Sequence, residues 1–257
     1  MPSVIAAQGY TVREFAKTHD DVVKTCQKLR KIGFQAVQVS AWAALEPTEM
    51  AKILRGEGLV CCATHGSFDR MQAEPEKVAA DHHTLGCKHT APGAMPNAYR
   101  EGDGYARFAR DASEVGKKLS RLGLTLSYHN HAFEFERQPS DAKQRPGLAI
   151  LIEDSEAGAL NFEIDTYWVQ AGGGDPAAWI RKVKGRIPLV HVKDMTIRAN
   201  KPIFAEVGEG NLNWPAILAA CKEAGTQWYI IEQDTCERDP FESLAISLRN
   251  LKAMGLA

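Results

Sequence analysis

Carboxylates and histidines gather at recurring points along this chain, each time at the end of a short apolar run. Thr64-His65-Gly66 closes one such run, and Tyr128-His129-Asn130-His131 closes another, with Glu134 and Glu136 just beyond. Glu163-Ile164-Asp165, His191-Val192-Lys193-Asp194 and Glu232-Gln233-Asp234 close three more. In an extended strand alternate residues share a face. Asn161, Glu163 and Asp165 then share one, as do Leu189, His191 and Lys193, and Trp228, Ile230 and Glu232. If each face turns inward, Asp165, His191 and Glu232 converge from three strands, and Glu134 joins them from the run before. Three carboxylates and one imidazole make an oxygen-rich set suited to Mn²⁺, Mg²⁺ or Co²⁺, with Zn²⁺ also able to bind. A single carboxylate at a strand end is usually a helix cap, and a lone histidine is usually a hydrogen-bonded structural residue. Four on neighbouring strand ends are different, because burying that much negative charge without a cation is very costly. The expected cofactor is a divalent metal ion, Mn²⁺ foremost.

The elements that must position these residues alternate regularly. Eight β-branched, apolar runs occur: Val4–Ala7, Ala36–Ser40, Leu59–Thr64, Lys88–Pro92, Leu124–His129, Leu160–Asp165, Pro188–Val192 and Trp228–Glu232. Between and after them lie helical patterns over Asp20–Lys31, Pro47–Arg55, Pro75–Leu85, Tyr105–Arg121, Pro176–Val183, Pro215–Ala224 and Pro240–Met254. Residues 135–159 are less regular, and Leu148–Glu153 reads as a short extra strand before or in place of a helix. Asp175-Pro176 and Asp239-Pro240 each supply an N-cap followed by proline at the first helical position. Gly33, Gly86, Gly123, Gly225 and Gly255 stand where helices should end. Alternating strands and helices imply parallel strands with right-handed crossovers. Eight such units in 257 residues predict a single (β/α)8 TIM barrel domain spanning residues 1–257. Active sites of such barrels lie at the C-terminal strand ends, where the polar residues above are found. Gly172-Gly173-Gly174-Asp175-Pro176-Ala177 nominally fits a dinucleotide-binding pattern. It starts seven residues past the strand end, and Asp175 would repel a pyrophosphate, so a loop entering a helix is expected instead.

Bulk composition narrows the partners. The formal charge is −1 and no basic excess exists to track a phosphate backbone, which argues against nucleic acid. No apolar stretch approaches the ~20 residues needed to cross a bilayer, and the N-terminal residues do not read as a signal peptide. Six cysteines, none in a CxxC pair, fit buried reduced thiols in a cytoplasmic protein. Cys61 and Cys62 should point to opposite faces of their strand. Homo-oligomerisation is left open.

The ordered motifs Tyr128-His129-Asn130-His131-Ala132-Phe133-Glu134-Phe135, Glu163-Ile164-Asp165-Thr166-Tyr167-Trp168, His191-Val192-Lys193-Asp194, Glu206-Val207-Gly208-Glu209-Gly210 and Ile231-Glu232-Gln233-Asp234 resemble the xylose-isomerase-like sugar phosphate isomerase/epimerase superfamily. That superfamily includes ketose 3-epimerases and inosose-processing enzymes, and the resemblance runs along essentially the whole chain. It implies one metal ligand on each of strands five to eight: Glu134, Asp165, His191 and Glu232. Its motif puts the glutamate four residues after Asn130, favouring Glu134 over Glu136. It also implies that Glu134 and Glu232, on opposite sides of a substrate, move protons. Ketose epimerases carry a substrate-contacting histidine three residues after the strand-six aspartate, and here that residue is Trp168.

The resulting expectation is a metal-dependent sugar or keto-sugar isomerase or epimerase. It would abstract a proton next to a carbonyl and pass through a metal-stabilised enediolate. His65, His131 and Lys193 are candidates for orienting hydroxyls or stabilising an oxyanion, and Trp168 and Trp42 for packing on a sugar face. The first rival is a keto-sugar or inosose lyase or dehydratase, including 3-keto-glycoside cleavage, on the same site. A DNA-repair endonuclease of the same superfamily needs a basic face that this chain lacks. A non-catalytic sugar-binding barrel would be marked by loss of a ligand residue.

Overall fold

A computed structural model describes residues 4–256. Among the described residues ten strands occur: β1 (Val4–Gln8), β2 (Ala36–Val39), β3 (Val60–His65), β4 (His89–Ala91), β5 (Thr125–His129), β6 (Leu160–Asp165), β7 (Leu189–Val192), β8 (Asp194–Arg198), β9 (Lys201–Ala205) and β10 (Trp228–Ile231). All but β8 and β9 close a parallel barrel in the order β1-β10-β7-β6-β5-β4-β3-β2. The helices are α1 (His19–Ile32), α2 (Pro47–Gly56), α3 (Phe68–Ala73), α4 (Pro75–Leu85), α5 (Gly104–Arg121), α6 (Gly147–Asp154), α7 (Thr166–Ala171), α8 (Pro176–Lys182), α9 (Trp214–Ala224) and α10 (Pro240–Ala253). The chain is thus a (β/α)8 barrel, as the alternation of runs predicts.

The helix signals act where they were expected. Asp175 accepts from Ala177 N–H, and Asp239 from Phe241 and Glu242 N–H, each with proline opening the helix. Gly33, Gly86 and Gly225 end α1, α4 and α9 in the left-handed conformation, which costs glycine little.

Strand alternation sorts the side chains into two cores. The larger one lies between barrel and helices and includes Val37, Cys61, Tyr128, Phe162, Ile164, Val190, Val192 and Ile231. A smaller one, of Ala6, Ala36, Cys62, Ala63, Leu189 and Ile230, fills the lower barrel interior. Cys61 and Cys62 fall in different cores, as alternation requires. The β2–β3 register slips after Val37, so that Gln38 pairs with Ala63 and Cys62 is skipped. Both Cys62 and Ala63 consequently face inward.

Three departures from the sequence reading matter. Leu148–Glu153 is not a strand. It lies within α6, where a continuous apolar run packs against α5 and six residues are buried. A short run of this kind fits a buried helix or a buried strand equally well. A helical turn, α7, begins at once after Asp165. An antiparallel hairpin, β8–β9, follows β7, turning at Ala199 and Asn200, both with positive φ. Residues 1–3 and 257 of the expected domain lie outside the described residues.

Candidate metal centre

The C-terminal ends of β5, β6, β7 and β10 carry the convergent side chains. His129, Asp165, His191 and Glu232 each offer a ligand-type atom, all within 4.8 Å of one another, and all four residues are buried. His191 Nδ1 lies 2.7 Å from Glu232 Oε2 and 3.8 Å from Asp165 Oδ2. His129 Nε2 lies 3.9 Å from Asp165 Oδ2. A second set, His65, His129, Glu163 and His191, meets the same spacing lower in the barrel. The two imidazoles common to both sets have one nitrogen on each side. His191 Nε2 is 3.3 Å, and His129 Nδ1 4.0 Å, from Glu163.

Local structure fixes each carboxylate. Asp165 ends β6 and caps α7, its Oδ1 accepting from Trp168 N–H at 3.0 Å. Its backbone N–H donates to Asn130 Oδ1. The cap occupies one carboxylate oxygen and leaves Oδ2 facing the centre. Thr166 hydroxyl bridges to the β7 end, donating to Lys193 O and accepting from Lys193 N–H. Deeper in, Glu163 accepts from Gln38 Nε2 at 2.8 Å and His65 Nε2 at 2.7 Å.

Lys193 completes the centre. Its Nζ lies 3.1 Å from Asp165 Oδ2, 2.8 Å from Glu232 Oε2 and 3.0 Å from Asp234 Oδ1. Sequence reasoning placed Lys193 against substrate; here its ammonium also neutralises the carboxylates around it. Burial disfavours its charge, but Asp165, Glu232 and Asp234 outweigh that and hold its pKa above the usual lysine value. The same competition acts on His191: burial pulls its pKa down, yet Glu163 and Glu232 push it up to about 10. Glu232 is stabilised as an anion by Lys193 and His191 despite its burial. Asp165 is pushed up to about 6, because burial exceeds the help it draws from Lys193 and His191. Two cations thus stand against Glu163, Asp165, Glu232 and Asp234, and the centre keeps a negative excess.

This donor set fits a divalent cation. Asp165 Oδ2 is buried, faces the centre and makes no hydrogen bond among the described residues; nor does His129 Nδ1, on the Glu163 side. Lys193 approaches the former without hydrogen-bond geometry. Oxygen and imidazole donors in this ratio suit Mn²⁺, Co²⁺ or Zn²⁺.

Glu134 is placed differently from the expected strand-five ligand. It belongs to neither convergent set. Its Oε1 accepts from Tyr128 hydroxyl at 2.6 Å and its Oε2 from His131 N–H at 2.9 Å. Tyr128 alternates with His129 on β5 and packs on Phe108 of α5, so its hydroxyl draws Glu134 towards the helix layer. Burial raises the Glu134 pKa to about 7, against the stabilising Tyr128 bond. His129, the inward residue, is the one that joins both convergent sets from β5.

Of the remaining sequence candidates, His65 stacks on His191. His65 donates to Glu163. His131 stacks on Phe133 and lies 5.4 Å from the Trp168 ring, and burial lowers its pKa to about 4. Lys193 Nζ sits 5.6 Å from the ring centres of both Trp168 and Phe204, the latter delivered by the β8–β9 hairpin. Trp42 is tied to the Gly9 carbonyl. Sequence reasoning missed His129, Gln38 and Asp234. The alternation on β5 marks His129 as inward; a glutamine on β2 gives no comparable signal.

The profile of the xylose isomerase-like TIM barrel family matches residues 26–254. The chain belongs to that family. Comparison with curated protein sequences finds no match. Among solved structures, a sugar phosphate isomerase/epimerase from Parabacteroides distasonis superposes with a TM-score of 0.82 at 20% identity, covering 100% of this chain and 96% of that one. An L-ribulose 3-epimerase gives 0.73 at 18% identity, over 99% and 94% of the two chains. A probable 3-DHS dehydratase from Bacillus anthracis gives 0.72 at 12% identity, over 98% and 99%. At these identities the likeness is one of fold.

Proposed function

We propose that this barrel is a metal-assisted sugar or keto-sugar isomerase or epimerase that removes a carbon-bound proton next to a carbonyl. The observation that carries the reading is the convergence of His129, Asp165, His191 and Glu232 around Lys193 at the C-terminal barrel mouth. Those four side chains would hold the cation, Mn²⁺ foremost. When bound, it would polarise a carbonyl and acidify the adjacent C–H. Lys193 keeps its proton at neutral pH, so it serves as a fixed positive charge for a developing oxyanion rather than as a proton carrier. His131 is neutral and has an unpartnered Nδ1 among the described residues, suiting it to exchange a proton with a substrate hydroxyl. Glu232 is the carboxylate base at the mouth. Trp168 and Phe204 form an aromatic wall that suits the apolar face of a sugar ring.

A second reading, β-elimination from a keto-sugar, inosose or 3-keto-glycoside, is favoured by one specific feature. Glu134 is engaged by Tyr128 hydroxyl and the His131 N–H, and this reading takes Glu232 as its single base. Elimination requires one base and one group to assist departure. Both reactions share the proton-removal step. Deuterium uptake from heavy water, measured with Mn²⁺ across ketoses, inososes and 3-keto-glycosides, tests it. Metal-dependent exchange at one carbon is expected, and abolished by chelation. A substrate turned over without solvent exchange contradicts the reading.

A further inference from the structure

Behind His191 runs a chain of hydrogen bonds whose polarity is dictated from its far end. Tyr10 N–H donates to Gln8 Oε1 at 3.2 Å, so the Gln8 amide nitrogen faces away from that bond. It donates to Gln38 Oε1 at 2.7 Å. Gln38 Nε2 in turn donates to Glu163 Oε1 at 2.8 Å. Glu163 Oε2 is engaged by His65 Nε2 at 2.7 Å, and the Gln38 oxygen already accepts from Gln8, so the Gln38 nitrogen is the atom left to donate to the carboxylate. Flipping Gln38 would face oxygen against Glu163 and nitrogen against the Gln8 nitrogen. Gln8, Gln38 and Glu163 are fully buried, so water cannot repair either clash.

With its orientation fixed, Gln38 Oε1 also lies 2.7 Å from His191 Nε2. That contact is a hydrogen bond only if Nε2 carries the proton. The neutral imidazole must therefore present its lone pair at Nδ1, towards Asp165 and Glu232.

We propose that Gln38 and Glu163 are positioning residues that select the Nε2–H tautomer and the ring orientation of His191, making Nδ1 its cation-binding atom. This rests on the cation site proposed above. Neither residue touches that site through its own ligand atom in the upper set. Both act through the imidazole. Without Gln38 the ring loses its 2.7 Å acceptor at Nε2 and keeps only Glu163 at 3.3 Å to distinguish its two tautomers and its two flipped orientations. A flip places carbon where each nitrogen now stands. Outer partners of ligating histidines typically contribute ~10–100-fold in metal affinity.

The test combines Co²⁺ titration with ¹⁵N spectra of the histidines in the Zn²⁺-loaded full chain, assigned with His191→Gln. Wild-type protein should show His191 with a protonated Nε2 and a metal-shifted Nδ1. Gln38→Met should weaken Co²⁺ binding by about 10–100-fold, with the Co²⁺ absorption altered at saturation. Glu163→Gln, which removes the carboxylate that accepts from Gln38 and faces His191 Nε2, should weaken it in the same direction and serves if Gln38→Met does not fold. Ligation of His191 through Nε2, or Co²⁺ affinity within threefold of wild type in the folded variants, overturns the assignment while leaving the cation site standing. Wild-type protein that takes up neither ion overturns both.

Discussion

The two halves of the barrel mouth are built from different chemistry. β5, β6, β7 and β10 contribute His129, Glu163, Asp165, His191, Lys193 and Glu232, nearly all able to carry charge. β1 and β2 contribute Gln8 and Gln38, two buried amides that are always neutral. The charged half supplies the atoms that would meet a cation or substrate. The amide half supplies direction, because an amide presents a donor and an acceptor at fixed positions. A histidine or carboxylate alone can change its protonation to suit its neighbours. Fixed amide dipoles behind it remove that freedom. The reactive half is thereby held in one arrangement by an unreactive one.

The largest effect should come from the charged half. Asp165→Asn keeps shape but removes a full negative charge and the oxygen facing the centre. Mn²⁺ affinity should fall by more than the ~100-fold upper range of outer-partner effects, as read by calorimetric titration. Unchanged affinity would remove Asp165 from the site. Glu232→Gln should lower turnover by at least ~10²-fold, the lower range for general acid–base assistance. A change confined to KM would make Glu232 a binding group.

Lys193→Met sharpens the comparison in another way. It leaves Asp165, Glu232 and Asp234 facing one another without their ammonium. Removing one partner of a buried ion pair typically costs about 3–5 kcal/mol. Metal-free Lys193→Met should melt well below wild type, and Mn²⁺ should raise its Tm more than it raises that of wild type. Equal increments would show that lysine and metal do not share the same carboxylates. Acidification acts similarly in wild type. A cation must displace the Nδ1 proton that Glu232 retains on His191, so affinity should rise with pH.

The smallest effect lies away from the mouth. His82 Nδ1 donates to the Val78 carbonyl, and its Nε2 accepts from Thr64 hydroxyl. Burial lowers its pKa. The folded protein therefore binds fewer protons there than the unfolded chain. This contribution is fully present above pH ~6.5, the unfolded histidine value, and is lost as pH falls through the lowered folded value. His82→Gln should flatten the fall in Tm between pH 7 and 5. An unchanged pH slope would exclude His82 from it.

The barrel was legible because its signals are local and repeated. β-branched runs, proline-started helices and terminal glycines fall at nearly every junction. The convergence of Asp165, His191 and Glu232 was legible because each lies at the end of a regular strand, where alternation fixes direction. Glu134 lies beyond the end of β5, in a 3-10 turn where alternation no longer applies. Its direction is set instead by Tyr128 on the opposite face, a contact that sequence spacing does not encode. Gln38 was hidden for a related reason: its partners are 30, 125 and 153 residues away. The β8–β9 hairpin was missed because its strands are short and charged at the tip, and α6 because an apolar run carries no period.

We propose, as the central claim, that the inward His129 completes the cation site from β5, with Glu134 engaged by Tyr128 and the His131 N–H instead. Parallel Mn²⁺ titration of Glu134→Gln and His129→Leu tests it most directly. The account predicts affinity close to wild type for Glu134→Gln, and a loss of at least ~10-fold, the lower bound for outer-shell partners alone, for His129→Leu. A severe loss in Glu134→Gln with binding retained in His129→Leu would contradict it, and would return the β5 ligand to the glutamate that the sequence motif favours.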